Sequence, residues 1–281
     1  MTRIAHILVA TDLTERSELA IQRALQLQQQ MGAALTLLHV IEPGLMSDLA
    51  ARRRRDAEAF LGERVARLPQ EVQRRCSRRV VVGDAFSTIA SEAQAQRVDL
   101  IVLGEPGKYR FADLFIGTTA ERVVRTSPIP VLVAKGTTQG PYQRVLVPLD
   151  LSDGAMRALA VSLTIAPSAA IRIVHAWRPP LSALAQRRAV PDAIRKENEQ
   201  IKALIERVVK EAAAATARRG QALSVDMVEE NPYVVLRNER SWPDLLAMGT
   251  HARGRLAIDM IGTLARHMLA EAPSDVLVAR P

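Results

Sequence analysis

Short, β-branched apolar runs alternate along this chain with longer stretches in which apolar residues recur at helical spacing. In the first half the runs fall at residues 7–10, 35–41, 80–82, 100–103 and 131–133. Each is too short for a buried helix and reads as a strand covered on both faces. Between them, residues 15–31 carry Leu19, Ile21, Leu25 and Leu27, and residues 49–68 carry Phe60, Leu61, Val65 and Leu68. Both stretches predict helices, and 86–96 predicts a shorter one. A further helix over 116–126 is stopped by Ser127-Pro128-Ile129-Pro130, because a residue before proline is pushed out of helical conformation. The order βαβαβαβαβ implies a parallel sheet with helices on both faces.

The second half repeats this plan. Ile7-Leu8-Val9-Ala10-Thr11-Asp12-Leu13 matches Val145-Leu146-Val147-Pro148-Leu149-Asp150-Leu151. Leu37-Leu38-His39-Val40 matches Ile173-Val174-His175-Ala176, and Val131-Leu132-Val133-Ala134-Lys135 matches Val276-Leu277-Val278-Ala279-Arg280. A helix over about 193–218 is longer than its counterpart. The chain therefore reads as two tandem domains, 1–136 and 142–281, joined by a breaker-rich linker over 137–141.

Each repeat also holds a glycine pattern. Leu103-Gly104-Glu105-Pro106-Gly107 is followed after nine residues by Gly117-Thr118, and Met248-Gly249-Thr250-His251-Ala252 is followed after nine residues by Gly262-Thr263. A strand that runs into a glycine loop and then a helix start can hold an anion. Glycines let the backbone approach closely, and the helix N-terminus offers unpaired N–H groups and about half a positive charge. In open sheets ligands sit beyond the carboxyl ends of the strands. The first strand end (Asp12), the second (Val40) and the glycine loop would meet there.

The G-x-x-G, nine residues, G-[S/T] pattern, the first strand ending in Ala10-Thr11-Asp12, and the Thr14-Glu15-Arg16-Ser17 helix start resemble the universal stress protein family, over nearly the whole chain as two fused copies. The resemblance implies, for each repeat, an α/β fold with an open five-stranded parallel sheet in the order 3-2-1-4-5. It further implies that the two repeats pack as an intramolecular pseudo-dimer through their last strands. In its ATP-binding members the adenine would rest by Val40, the ribose by Asp12 and Gly104, and the phosphates along Gly107, Gly117, Thr118 and Thr119. A weaker second site would use Asp150, Gly249, Gly262 and Thr263. The implied function is that of a stress-response, ATP-binding regulatory or protective module, with Mg²⁺ as an admissible companion of the nucleotide. Slow ATP hydrolysis or autophosphorylation is the most catalysis it leaves room for. The alternative is a protein of the same fold that binds another small anion or docks proteins.

Some residues depart from the pattern. Glu105-Pro106 puts a carboxylate in the first loop, which Lys108 and Arg110 offset. Ala252 replaces the second glycine of the second loop, ahead of Arg253-Gly254-Arg255. No G-x-x-x-x-G-K-[ST] loop or other recognised nucleotide-hydrolysis set occurs, so no catalytic residue is assigned.

Composition narrows the partners. Aromatic residues make up 3% of the 281 residues and apolar residues 48%, which suits aliphatic cores under a parallel sheet. The net charge of +8 is spread evenly, with 19 basic and 15 acidic residues in each half. No basic arm for nucleic acid stands out. Arg52-Arg53-Arg54-Arg55 carries no interleaved aromatics and has Asp56 and Glu58 at i,i+4, so it reads as a solvated helix face. Cys76 is the single cysteine, which rules out an intramolecular disulfide. It lies among arginines that favour its thiolate and reads as a loop residue without a redox partner. His39 and His175, in apolar strands, read as packed and hydrogen-bonded, without a metal set. The sequence has neither a leader-like start nor an apolar run long enough for a membrane, so a cytoplasmic protein is expected. One chain holding both repeats does not forbid a homodimer.

Overall fold

The computed structural model describes residues 3–44, 46–105, 119–136, 140–178, 192–216, 222–250 and 262–281. Repeat one runs β1 (His6–Thr11), α1 (Glu15–Met31), β2 (Ala34–Ile41), α2 (Ser47–Ala66), the single turn α3 (Gln70–Gln73), β3 (Cys76–Val82), α4 (Ala85–Ala95), β4 (Leu100–Gly104), α5 (Thr119–Thr126) and β5 (Val131–Ala134). Repeat two runs β6 (Arg144–Pro148), α6 (Asp153–Ile165), β7 (Ala170–Trp177), α7 (Asp192–Ala214), β8 (Leu223–Glu229), α8 (Pro232–Glu239), β9 (Leu245–Gly249), α9 (Thr263–Glu271) and β10 (Asp275–Ala279). The alternation read from the apolar runs is the observed one.

All strands join one ten-stranded sheet in the order β3-β2-β1-β4-β5-β10-β9-β6-β7-β8. Within each repeat the neighbours are parallel, and each half reads 3-2-1-4-5. The halves meet at β5 and β10, which pair antiparallel with Leu132 opposite Leu277. The two expected sheets are thus one, because each last strand is a buried apolar run whose free edge is completed by the other's.

Alternate residues of each strand feed two separate cores. Ile7 and Val9 pack with α1, α2, α6 and α7 on one face. Leu8 packs with α4, α5, α8 and α9 on the other. Period two with both faces buried is what an all-apolar strand gives when helices cover both sides.

A fully buried ion pair crosses between the repeats. Arg23 Nε of α1 donates to Asp275 Oδ2 at 2.8 Å, the pair being 4% and 0% exposed. The Tyr142 hydroxyl donates to the same oxygen at 2.7 Å. The backbone amides of Lys135 and Gly136 donate to Oδ1, each at 2.8 Å, and the Arg23 guanidinium lies 4.2 Å from the centre of the Tyr142 ring. Four donors satisfy this carboxylate, which is the condition for keeping a charge inside.

Cys76 is a correction to the sequence reading. It opens strand β3 opposite Leu35 rather than lying in a loop. Burial pushes its thiol pKa up, so the neighbouring arginines do not make it a thiolate.

Candidate functional site at the carboxyl ends of the strands

The turn after each first strand is built the same way. Asp12 Oδ1 accepts from the Thr14 amide at 3.0 Å and from its hydroxyl at 2.6 Å. Asp150 Oδ1 accepts from the Ser152 amide and hydroxyl at the same distances, 3.0 and 2.6 Å. Between aspartate and helix, Leu13 and Leu151 take left-handed conformations, with φ of 65° and 60°. Such geometry costs a side-chain-bearing residue about 1–2 kcal/mol, and the aspartate bonds hold it in place. The helix cap in repeat two is Ser152, whose side chain accepts from the Ala155 amide, so Asp150 braces the cap instead of forming it. At Asp12 burial pushes the pKa up, but the bonds from the Thr14 side chain and amide outweigh it and leave the carboxyl below its ordinary value. Asp12 is a solvent-exposed carboxylate at neutral pH.

The histidines are packed as expected: Nδ1 of His39 lies 2.9 Å from the Thr11 carbonyl and that of His175 2.7 Å from the Leu149 carbonyl. A carbonyl only accepts, so each ring donates to the residue just before the aspartate. These bonds tie the second strand end to the first in both repeats.

The glycines that close the fourth strands also have a packing role. A Cβ on Gly104 would meet the Arg16 carbonyl oxygen at 3.1 Å and Ser17 Cα at 3.2 Å. A Cβ on Gly249 would meet the Ala155 amide nitrogen at 2.7 Å. Glycine is favoured at these strand ends because the first helix of the repeat, α1 or α6, crosses close there, a packing reason that the glycine spacing alone does not reveal.

In repeat two these parts enclose a cavity of about 680 Å³. Asp150, Gly249, Gly262 and Thr263 all line it, along with Ala176, which matches Val40 of repeat one. Its aliphatic lining includes Val174, Leu236 and Met248. The start of α9 also lines it, and its cap residue Gly262 makes no side-chain cap bond. The Gly262 amide itself donates to the Thr250 carbonyl at 2.7 Å, so the amides left to face the cavity begin at Thr263. A pocket lined by aliphatic residues and by a helix start suits a ligand with a flat apolar part and an anionic part.

In repeat one, Asp12 follows β1, Val40 lies half-buried in β2 opposite Val81, Gly104 ends β4 and Thr119 opens α5. Gly107, Gly117 and Thr118 lie outside the described residues, as do Lys108, Arg110, His251, Ala252 and Arg253-Gly254-Arg255. Exposed Glu105 follows β4. Burial lowers the Lys135 pKa, and the Glu105 and Asp275 charges offset this only in part, so the Glu105 charge is partly answered within the protein. Arg54 pairs with Glu58 at 3.1 Å on the exposed face of α2. Among the described residues no group of three His, Cys, Asp or Glu side chains could hold a metal ion, and no helix is long and apolar enough to cross a membrane.

The sequence model of the universal stress protein family matches residues 3–135 and again 141–280. A universal stress protein of Methanocaldococcus jannaschii is 26% identical over 152 residues, covering 46% of this chain and 93% of its own. One from Thermus aquaticus is 28% identical over 138 residues, covering 46% and 97%. Both are the length of one repeat. The crystal structure of a universal stress protein from Archaeoglobus fulgidus superposes with a TM-score of 0.70 at 20% identity, covering 99% of this chain and 98% of its own.

Proposed function

The chain belongs to the universal stress protein family, and from that premise we propose that it is a stress-response module which binds an adenine nucleotide, ATP with or without Mg²⁺, and turns binding into a regulatory or protective interaction. The observation that supports this most is the cavity in which Asp150, Gly249, Gly262 and Thr263 converge. Its aliphatic residues suit a base, the Asp150 carboxylate suits a ribose hydroxyl, and the start of α9 suits phosphate. Repeat one offers the corresponding position through Asp12, Val40, Gly104 and Thr119, with Gly107, Gly117 and Thr118 as its phosphate loop. The protein acts by binding, with slow ATP hydrolysis or autophosphorylation as the most turnover this reading leaves room for.

Equilibrium titration with ATP tests this, comparing wild type with Gly262→Asp and Gly117→Asp. An aspartate is a good helix cap, so Gly262→Asp keeps α9 folded while placing a carboxylate where the phosphates would lie. Wild type is expected to bind, and Gly262→Asp to lose at least about tenfold, roughly 1.4 kcal/mol. Unchanged affinity in both variants contradicts the reading. The bond that already occupies the Gly262 amide favours one other occupant, a smaller and less anionic ligand. Mass spectrometry of what co-purifies with the protein separates the two.

A further inference from the structure

The two repeats differ where the helix after the third strand meets the helix after the glycine loop. In repeat one, Asp84 caps α4 and Phe86 follows two residues later. Arg122 of α5 lies on that ring, its guanidinium carbon 3.4 Å from the centroid, and its Nη1 is 3.7 Å from the Asp84 carboxylate. The Phe86 face under this cation is closed to a ligand, and the carboxylate holds the cation there.

Repeat two carries Asn231, Tyr233 and His267 at the matching positions. Asn231 caps α8 by accepting from the Tyr233 amide at 2.8 Å. His267 Nδ1 donates to the Thr263 carbonyl at 2.8 Å, which anchors the imidazole to its own helix. The Tyr233 and His267 rings meet edge to face, with centroids 5.2 Å apart at 70°. All three residues line the cavity. An arginine–carboxylate clamp in one half is thus an aromatic corner in the other, in a cavity that Val174 and Met248 also line.

We propose that Tyr233, positioned by its contact with His267, is the stacking surface for a flat heterocycle of the nucleobase class, and that repeat two is therefore the ring-selective half of the molecule. An aliphatic slot desolvates a ring but does not orient it. One aromatic wall supplies that orientation, and stacking works with any base because every base has a π-face. The inference rests on the nucleotide reading of the same cavity.

The test is ATP binding by calorimetry on the full chain, with thermal melts as a check of folding. Tyr233→Leu is expected to weaken binding about tenfold, and Tyr233→Phe to restore it, since the ring and not the hydroxyl does the stacking. A second variant, Asn231→Asp with His267→Arg, rebuilds the repeat-one clamp over Tyr233 and is expected to weaken binding without removing the ring. It decides the matter if Tyr233→Leu does not fold. ATP affinity that is indifferent to Tyr233→Leu or to the rebuilt clamp, or that is lost equally in Tyr233→Phe, overturns the stacking role while leaving the nucleotide reading intact. Wild type that does not bind ATP overturns both.

Discussion

Asp275 shows how much one side chain can carry. It lies at the first position of β10, wholly buried, and it accepts from Arg23, Tyr142 and the amides of Lys135 and Gly136. Removing one partner of such a pair typically costs about 3–5 kcal/mol, because the other charge stays behind unpaired. Tyr142 permits a gentler experiment. Burial, with the Asp275 charge second, raises its phenol pKa well above the ordinary value. The neutral phenol therefore contributes stability that is complete below about pH 10 and is lost as pH rises beyond it, where the unfolded chain ionises first. Tyr142→Phe keeps the ring and loses the bond to a charged acceptor, and should cost about 1.5–3 kcal/mol near neutrality. In urea denaturation the gap between variant and wild type should narrow as pH climbs above about 10. A gap that does not change with pH means the hydroxyl is not held as described. Nothing in the sequence pointed to this cluster. Its members lie in α1, the connection between repeats and the last strand, and their counterparts Val161 and Pro130 carry no charge, so comparing the repeats gives no signal.

At the scale of elements the sequence was easy to read. Strands such as β4 and β5 are unbroken apolar runs bounded by breakers, and α1 has the bounds its periodicity predicts. The strand β3 was read three residues long and is seven, because Ser77, Arg78 and Arg79 are exposed on an edge strand and give no hydrophobic signal. The glycine pattern was legible in position and only partly in cause. It marks the ends of β4 and β9, but what fixes glycine there is the crossing of α1 and α6. The two crossings differ in tightness, which gives a prediction. Gly249→Ala puts a methyl against helix backbone at 2.7 Å, whereas Gly104→Ala meets its nearest atom at 3.1 Å. Overpacking of this kind costs about 1–3 kcal/mol. Gly249→Ala should fall in the upper part of that range and Gly104→Ala in the lower, measured by urea denaturation. The reverse order would mean that the β9–α6 crossing is looser than the geometry states. The aromatic corner at Tyr233 and His267 was missed because its two residues are far apart in sequence and come from different helices. The signal was present all the same, in Asn231 and His267 standing where repeat one has Asp84 and Arg122.

The whole molecule is a duplicated unit whose copies have diverged. The antiparallel β5–β10 seam makes a single sheet of the two repeats, and both cores continue across it. Similar strand ends then face different surroundings: an Arg122–Phe86 clamp in repeat one, and a cavity of about 680 Å³ with an aromatic corner in repeat two. Duplication within one chain allows this, because each copy is free to change while the other keeps its role. A crystal structure of the full chain grown with ATP tests the claim most directly. The expected result is a nucleotide in repeat two, its base between Ala176 and Tyr233 and its phosphates at Thr263. An empty repeat-two cavity in the presence of saturating ATP, or one holding a nucleotide with its phosphates turned away from α9, would contradict it.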